Sequence, residues 1–319
     1  MEPLAPGMRR VGKVMRRMPG ASIANASDKE IERNSGASAP EFFASILQGS
    51  RPAGVLREDR MAGETPIRVY RRGGATTSAT VSVGRPRPLI VYFHGGGFVY
   101  GDLRGGDWIC GTVAQQLDAV VVSVGYRLAP KHPFPAGVDD CFAATIWAVA
   151  NAGELGADPA RVGVMGESAG GNLAAVVALI ARNDGGPAIH HQALLYPVTG
   201  ASDTESRRTN RDALILTGAD MKRFDELYAG DRSDWRVSPL LATSFAGLPP
   251  AIIEGAGHDP LHDDGALYAE ALLRAGVRVE LKDYPAMPHG FLNFPRFARD
   301  ARPAIAAVVA SQRAALAGV

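Results

Sequence analysis

The chain has 319 residues, of which 46% are hydrophobic and 21% charged, and 34 basic against 33 acidic side chains give a formal net charge of +1. This composition is that of a globular protein and excludes disorder as the main state, and the charge balance gives no general attraction to nucleic acids or anionic membranes. The longest hydrophobic run, residues 173–181, is too short for a bilayer, which needs about 20 apolar residues.

The N-terminal segment has the pattern of an amphipathic helix. Met8, Val11, Met15 and Met18 recur at helical spacing, which predicts one face packed on the protein body while the intervening basic side chains stay in solvent. The segment carries charge but no continuous apolar run, which disfavours a secretory signal. A second short helix is predicted over residues 40–49.

Short β-branched and aromatic runs then alternate with helical stretches. Two strands are predicted at residues 54–60 and 66–71, followed by a Gly/Ser/Thr-rich connection over 72–87 that is expected to be mobile. Runs typical of buried strands occupy residues 88–93, 119–124, 162–165, 193–196, 251–254 and 277–281. Helices are predicted at residues 107–117, 136–151, 168–183, 219–230, 260–275 and 296–316. This alternation predicts an α/β fold with a mostly parallel sheet covered on both faces by helices.

The polar interval from residue 200 to about 238 has no strand signal. We therefore predict an α/β core made of residues 51–199 and 236–319. Residues 1–50 and 200–235 are expected to form a helical cap over the sheet edge where ligands bind.

The two cysteines, Cys110 and Cys141, are too few for a disulfide framework. They are interpreted as buried free thiols, which suit a reducing cytosol. We therefore expect a cytoplasmic protein.

A candidate nucleophile lies in the segment GESAGG, residues 166–171, which directly follows one predicted strand and opens a predicted helix. This is the context that the G-x-S-x-G elbow requires. Such a turn lifts the Ser168 hydroxyl above the sheet at a helix N-terminus, where free N–H groups and the helix dipole favour developing negative charge. An inactive small-residue turn is the alternative.

Three consecutive glycines follow His94 at the end of another buried strand. Glycines in such a row allow the backbone to approach a ligand closely and to point N–H groups at it. We assign oxyanion donors to Gly96, Gly97 and Ala169, the residue after the nucleophile. A phosphate loop is disfavoured because no Lys-Ser/Thr follows, and His94 is expected to hold the loop by hydrogen bonds.

The general base and its acidic partner should follow the serine in the order acid, then histidine. His289 lies in a predicted loop after the last strand, and Asp259 lies after the preceding strand. A parallel sheet places both loops at the edge that holds Ser168. His258 and His262, with acids beside them, form a competing candidate for metal binding. Since Pro260 is expected to begin a helix, the two histidines need not share a face.

Together these residues resemble the hormone-sensitive-lipase-like carboxylesterases, the branch of α/β-hydrolases with an HGGG loop and a GDSAGG-type elbow. The likeness covers residues 88–292 and extends to the segments RLAPKHPFPA (127–136), SPL (238–240), GLPP (247–250), DPLHDDG (259–265) and HGF (289–291). It implies an α/β-hydrolase fold with a cap, hydrolysis of short- to medium-chain esters through an acyl-enzyme, no metal or organic cofactor, and a homodimer in many relatives. Glu167 departs from the usual Asp.

Aromatic and aliphatic side chains beside the motifs or in the cap are candidates for the substrate pocket. They are Phe98, Tyr100, Leu216, Phe224, Tyr228, Met287 and Phe291. Two other functions stay open: a catalytically silent small-molecule binder on the same fold, and an amide or peptide hydrolase with the same triad. The presence of His289 with its flanking pattern disfavours the silent binder.

Overall fold

The computed structural model describes residues 2–17, 22–35, 49–73 and 86–317, and one eight-stranded sheet forms its centre. The strands are β1 (Val55–Ala62), β2 (Thr65–Arg72), β3 (Arg87–Phe93), β4 (Val120–Val124), β5 (Ala157–Glu167), β6 (His191–Leu195), β7 (Ala251–His258) and β8 (Val279–Pro288), in the spatial order β1-β2-β4-β3-β5-β6-β7-β8. β2 is antiparallel to β1 and β4, and all the other pairs are parallel. The predicted mostly parallel α/β architecture is confirmed.

Helices cover the sheet on both faces. They are α1 (Pro6–Met15), α2 (Asp28–Asn34), α3 (Asp107–Leu117), α4 (Ala136–Ala150), α5 (Ala152–Leu155), α6 (Ala169–Asn183), α7 (Glu205–Thr209), α8 (Gly218–Tyr228), α9 (His262–Arg274) and α10 (Ala301–Ala317). Side chains of α4, α6 and α9 share one hydrophobic cluster with the sheet, and those of α1, α3 and α10 share the other.

Strand β3 shows why the sequence forms a two-sided sheet. Leu89, Val91 and Phe93 face the cluster under α4 and α6, whereas Ile90 and Tyr92 face the opposite one. Successive side chains in a strand point to opposite faces, so a strand covered on both sides is apolar at every position rather than at every second one.

Three strands extend further at their C-terminal ends than the sequence pattern indicates. β5, β7 and β8 extend to Glu167, His258 and Pro288, because the sheet pairing continues through the glycine- and proline-containing ends of these runs. The helix predicted at 296–316 begins only at Ala301. The predicted helix at 40–49 and the connection at 72–87 lie almost entirely outside the described residues, as does Met18.

Helix α2 was not predicted, although its start carries a readable signal. Ser27 accepts a hydrogen bond from the Glu30 N–H, and the Glu30 carboxylate accepts from the Ser27 N–H. This reciprocal arrangement is the capping box, which satisfies two backbone donors at a helix start.

Helix α8 and the N-terminal segment pack together beside the C-terminal ends of the parallel strands. Ile23 and Ile31 share a small apolar cluster with Leu227 and Tyr228 of α8 and with Val99, which follows the glycine loop. Arg223 of α8 also pairs with an acidic residue of α2. These elements lie directly over the loop that follows β3.

Cys110 and Cys141 are free and buried, as predicted. Burial raises the pKa of both thiols well above the usual value, so both stay protonated and unreactive at neutral pH. Among the described helices, none is both long and apolar enough to cross a membrane.

Glu254 of β7 is a fully buried carboxyl group whose Oε1 accepts a hydrogen bond from the Tyr284 hydroxyl at 3.1 Å. Burial raises its pKa from 4.5 to about 8. The folded protein therefore holds a proton that the unfolded chain releases, so this group lowers the free energy of unfolding as pH rises between those two values.

We expect Glu254→Gln, which stays neutral in both states, to stabilise the protein by about 1–3 kcal/mol at pH 8 and much less at pH 5. Urea unfolding at the two pH values measures the difference. Glu270→Gln, at an exposed position of α9, is the matched control. An equal change in the free energy of unfolding at both pH values would contradict the conclusion that Glu254 keeps its proton in the folded protein.

Candidate active site

Ser168, His289 and Asp259 meet in one hydrogen-bonded chain. The Nε2 atom of His289 lies 2.8 Å from the Ser168 Oγ, and its Nδ1 atom lies 2.6 Å from Asp259 Oδ2. A carboxylate only accepts, so the Nδ1–H donates to Asp259 and Nε2 is left as an acceptor for the serine proton. The structure thus brings together three side chains that are 91 and 30 residues apart in the sequence.

The serine lies on a strained turn between β5 and α6. Its backbone has φ 54° and ψ −118°, a conformation that is costly for a residue with a side chain and typical of functional positions. A Cβ added at Gly170 would overlap the carbonyl oxygen of Phe93, and one added at Gly166 would overlap that of Gly170. The two glycines therefore permit the close packing that places Ser168 at the end of the sheet.

Asp259 and His289 follow the ends of adjacent parallel strands, β7 and β8. Asp259 is fully buried, and its Oδ1 accepts a hydrogen bond from the Leu261 N–H at 2.8 Å. Each carboxylate oxygen thus has one fixed donor. The imidazole is 8% exposed, and its ring packs edge-on against the ring of Tyr196, with centroids 5.1 Å apart.

The glycine loop after β3 lies beside the serine. Gly96 and Gly97 have φ +118° and +61°, and an added Cβ at either would overlap Tyr100 or Phe224. Within the described part of the chain, the N–H groups of Gly96, Gly97 and Ala169 have no protein acceptor, and Ala169 is the first residue of α6, where intrahelical acceptors are absent. These three donors are free to bind a negative oxygen.

His94 supports the glycine loop from below. It is 2% exposed, its ring stacks on Tyr126 with centroids 4.3 Å apart, and its Nδ1 lies 2.8 Å from the Gly95 carbonyl oxygen. Burial lowers the pKa of His94, so the ring is neutral and Nδ1–H donates to that carbonyl. The His94 side chain therefore holds the glycine loop by a hydrogen bond, as predicted from the sequence.

Glu167 ties the nucleophile turn to the histidine loop. Its buried carboxylate accepts hydrogen bonds from Tyr92 at 3.0 Å, from Tyr196 at 2.7 Å and from Asn293 at 2.7 Å. Its three donors are all neutral, and no cationic side chain in the described part of the chain contacts it. Asn293 lies four residues after His289, so this contact connects the chain segment of the base to the residue before the nucleophile.

A cavity of about 420 Å³ opens above the three side chains. Four of the predicted pocket residues line it, namely Phe98, Tyr100, Leu216 and Phe224. The other three, Tyr228, Met287 and Phe291, do not line this cavity. Tyr228 stacks on Phe98 with ring centroids 3.9 Å apart, while Met287 and Phe291 are fully buried in the core under α10.

Several lining residues were missed by the sequence analysis. They include Val198, Arg207, Ile215, Met221, Arg232, Leu261, Asn293 and Phe294. Half of them come from the polar interval over residues 200–238, where the sequence pattern does not show which side chains face the cavity. For Arg207 the sequence offers a weak signal, because its ion-pair partner Asp264 lies within the segment DPLHDDG (259–265), to which the family resemblance extends.

The two histidines of the competing metal candidate point to different partners. His258 Nε2 lies 2.8 Å from the backbone oxygen of Glu2, and His262 lies 3.2 Å from both Asp263 and Asp283. Within the described residues, no group of three or more potential metal ligands occurs.

Comparisons with known proteins agree with this geometry. A family model described as alpha/beta hydrolase fold matches residues 90–293, a segment that contains every residue of the hydrogen-bonded chain and the glycine loop. The sequence is 48% identical over 214 residues to Carboxylesterase NlhH of Mycobacterium tuberculosis, covering 65% of this chain and 67% of that protein. It is 38% identical over 227 residues to Ethyl acetate hydrolase of Pseudomonas putida, covering 69% and 71%.

Solved structures extend the likeness to nearly the whole chain. The hyperthermophilic esterase of the archaeon Pyrobaculum calidifontis has a TM-score of 0.84 and 33% identity, and 98% of each chain is covered. The structural similarity therefore extends well beyond the segment 90–293 that the family model matches.

Proposed function

Since the chain belongs to the α/β-hydrolase family, and within it to the hormone-sensitive-lipase-like carboxylesterases, we propose that Ser168 is the nucleophile with which it hydrolyses carboxylic esters. The chain is a serine carboxylesterase, and the proposal concerns which residues act and on which esters. The observation that supports it most directly is the 2.8 Å contact between Ser168 Oγ and the acceptor nitrogen of His289. This contact lies next to N–H groups that have no acceptor among the described residues.

In the proposed reaction, His289 takes the Ser168 proton on Nε2 as the serine oxygen attacks the ester carbonyl. Asp259 stabilises the charged imidazole and holds its tautomer. The N–H groups of Gly96, Gly97 and Ala169 stabilise the tetrahedral oxyanion, where each donor contributes about 3–4 kcal/mol. His289 then protonates the departing alcohol, and water releases the acid from the acyl-enzyme by the same steps.

The cavity favours short- to medium-chain acyl groups. Its volume of about 420 Å³ lies at the low end of the range for small-molecule sites. Phe98, Leu216 and Phe224 supply apolar walls, which fit an aliphatic chain or an aromatic alcohol better than a long lipid.

Three further proposals concern the domain organisation, the cellular location and the assembly of the protein. We propose that residues 1–50 and 200–235 act as a cap on a core made of 51–199 and 236–319. We also propose that the protein is cytoplasmic, has no nucleic acid partner and forms a homodimer. Size-exclusion chromatography with light scattering tests the dimer.

A fluorophosphonate probe tests the proposed nucleophile. We expect wild-type protein to become labelled on the peptide that contains Ser168, because only an activated serine displaces the fluoride. Mass spectrometry of the digested protein identifies the site. Ser233→Ala, at an exposed serine, should be labelled like wild type, whereas Ser168→Ala should not be labelled.

The same preparation separates the alternative functions. A silent small-molecule binder would stay unlabelled. An amide or peptide hydrolase would be labelled and would also turn over butyryl p-nitroanilide at an appreciable rate. We expect this protein to hydrolyse p-nitrophenyl butyrate and to leave the anilide almost unhydrolysed.

A further inference from the structure

A second cavity, of about 740 Å³, adjoins the catalytic cavity, and Arg207 and Ile215 line both. Its other walls come from Arg16 after α1, from the segment 22–25 and from residues 211–222, which lead into α8. We call this cavity the outer chamber. A substrate group that extends past Ile215 would enter it.

The outer chamber has an excess of positive charge. Its cationic side chains are Arg16, Arg207, Arg211 and Lys222, and its carboxylates are Asp212 and Asp220. Asp220 is buried, and its oxygens accept hydrogen bonds from Ser22 and from the backbone and hydroxyl of Thr217. Asp220 therefore belongs to the hydrogen bonding of the wall, and Asp212 is the remaining exposed carboxylate.

Two of the cations have no ionic partner in the described part of the chain. Arg16 donates from Nη2 to the backbone oxygens of Asp212 and Ala213, at 2.9 and 2.8 Å, but carbonyl oxygens do not neutralise its charge. Arg211 forms no ion pair or hydrogen bond with a described side chain. Lys222 has only a long contact, 3.9 Å, with Glu226.

Arg207, at the boundary of the two cavities, is held in a fixed position. Its Nη2 atom lies 2.9 and 3.1 Å from the two carboxylate oxygens of fully buried Asp264. Asp264 is held in turn by the N–H groups of Thr199 and Gly200. The Arg207 Nη1 atom has no acceptor among the described residues and is not buried, so the guanidinium retains donors that a ligand can reach.

We propose that the outer chamber binds a carboxylate group of the substrate, so that the enzyme favours esters that carry a free carboxylate over neutral esters of the same length. This inference rests on the proposed esterase function. A guanidinium that is already ordered loses little entropy when it binds a carboxylate. Arg16 and Arg211, which have no ion-pair partner among the described residues, attract an anion to the chamber.

Matched substrate pairs measure this preference. On the acyl side, mono-p-nitrophenyl adipate is compared with p-nitrophenyl hexanoate, and on the alcohol side 4-acetoxybenzoate is compared with its methyl ester. For at least one pair we expect kcat/KM to be about tenfold higher for the anion at low ionic strength, with a smaller ratio in 0.5 M salt, where the Debye length is only a few Å. The pair that responds shows which part of the substrate enters the chamber.

A double variant, Arg16→Gln with Arg211→Gln, removes the two cations that have no ion-pair partner among the described residues. The anion-to-neutral ratio of kcat/KM should then fall at least about fivefold, a quantity that cancels general changes in activity. Lys13→Gln with Arg17→Gln is the matched control, because both are exposed cations of the same N-terminal segment that do not line either cavity. This control should keep the wild-type ratio.

The outcomes distinguish this inference from the function on which it rests. If wild type hydrolyses the neutral esters in a Ser168-dependent way but shows no preference for the anion in either pair, the carboxylate site is overturned and the esterase stands. An equal fall of the ratio in both double variants would also overturn it, because net charge alone would then explain the preference. If no ester is hydrolysed, both proposals fail.

Discussion

Ser168→Ala is expected to reduce kcat for p-nitrophenyl butyrate by about 10⁵–10⁶-fold, since the proposed nucleophile is lost. Alanine keeps the Cβ atom, so the strained turn at φ 54° and the packing around Gly166 and Gly170 are not altered. The donors of Gly96, Gly97 and Ala169 also remain, and they account for the residual rate over the uncatalysed reaction.

The assay requires proof that the variant is folded and that the residual rate is its own. Thermal unfolding should give nearly the wild-type midpoint, and Ser233→Ala should keep the wild-type rate. A Ser168→Ala protein that retained more than a tenth of the wild-type kcat would exclude Ser168 as the nucleophile.

The proposed catalytic residues were predictable because each lies at the end of a strand. Ser168, Asp259 and His289 follow β5, β7 and β8, and the carboxyl ends of parallel strands meet at one edge of a sheet. Fold and chemistry thus reinforce each other in the sequence. The glycines at 96 and 97 add a second signal, since their positive φ values are costly for other residues.

The pocket walls were less predictable because sequence proximity to a motif does not fix the direction of a side chain in a turn. Met287 and Phe291 lie two residues to either side of His289, yet both are fully buried in the core while His289 faces the cavity. Met287 belongs to the end of β8, which the sequence pattern did not show, and the segment after Pro288 is neither strand nor helix until the short turn Phe291–Asn293. The periodicity that gives side-chain direction within a strand or helix therefore could not be applied to either residue.

The sequence pattern also could not predict contacts between polar residues that are far apart in the chain. The carboxylate of Glu167 has donors from β3, from the residue after β6 and from the histidine loop. No spacing rule connects Tyr92, Tyr196 and Asn293. The longer Glu side chain at a position where the resemblance implies Asp is explained only once these three donors are located around it.

Asp259→Asn should lower kcat by about 10³–10⁴-fold with little change in structure, because the substitution reverses the hydrogen bond to His289. The Leu261 N–H donates to Oδ1 at 2.8 Å, so the asparagine oxygen must occupy that position. The amide NH₂ group then faces His289 Nδ1, where the carboxylate now accepts at 2.6 Å. Nδ1 becomes the acceptor, Nε2 carries the proton, and Nε2 can no longer take the proton of Ser168.

Comparison with Asp263→Asn isolates this effect. Asp263 belongs to the same segment, but it contacts Ser206 and His262 rather than His289, so its replacement should leave kcat within about twofold of wild type. Steady-state kinetics with p-nitrophenyl butyrate and an ¹⁵N spectrum of the histidine rings report the rate and the tautomer together. If Asp259→Asn kept Nδ1 protonated and the rate high, the orientation of His289 would depend on groups other than Asp259, with Tyr196 against its ring as the next candidate.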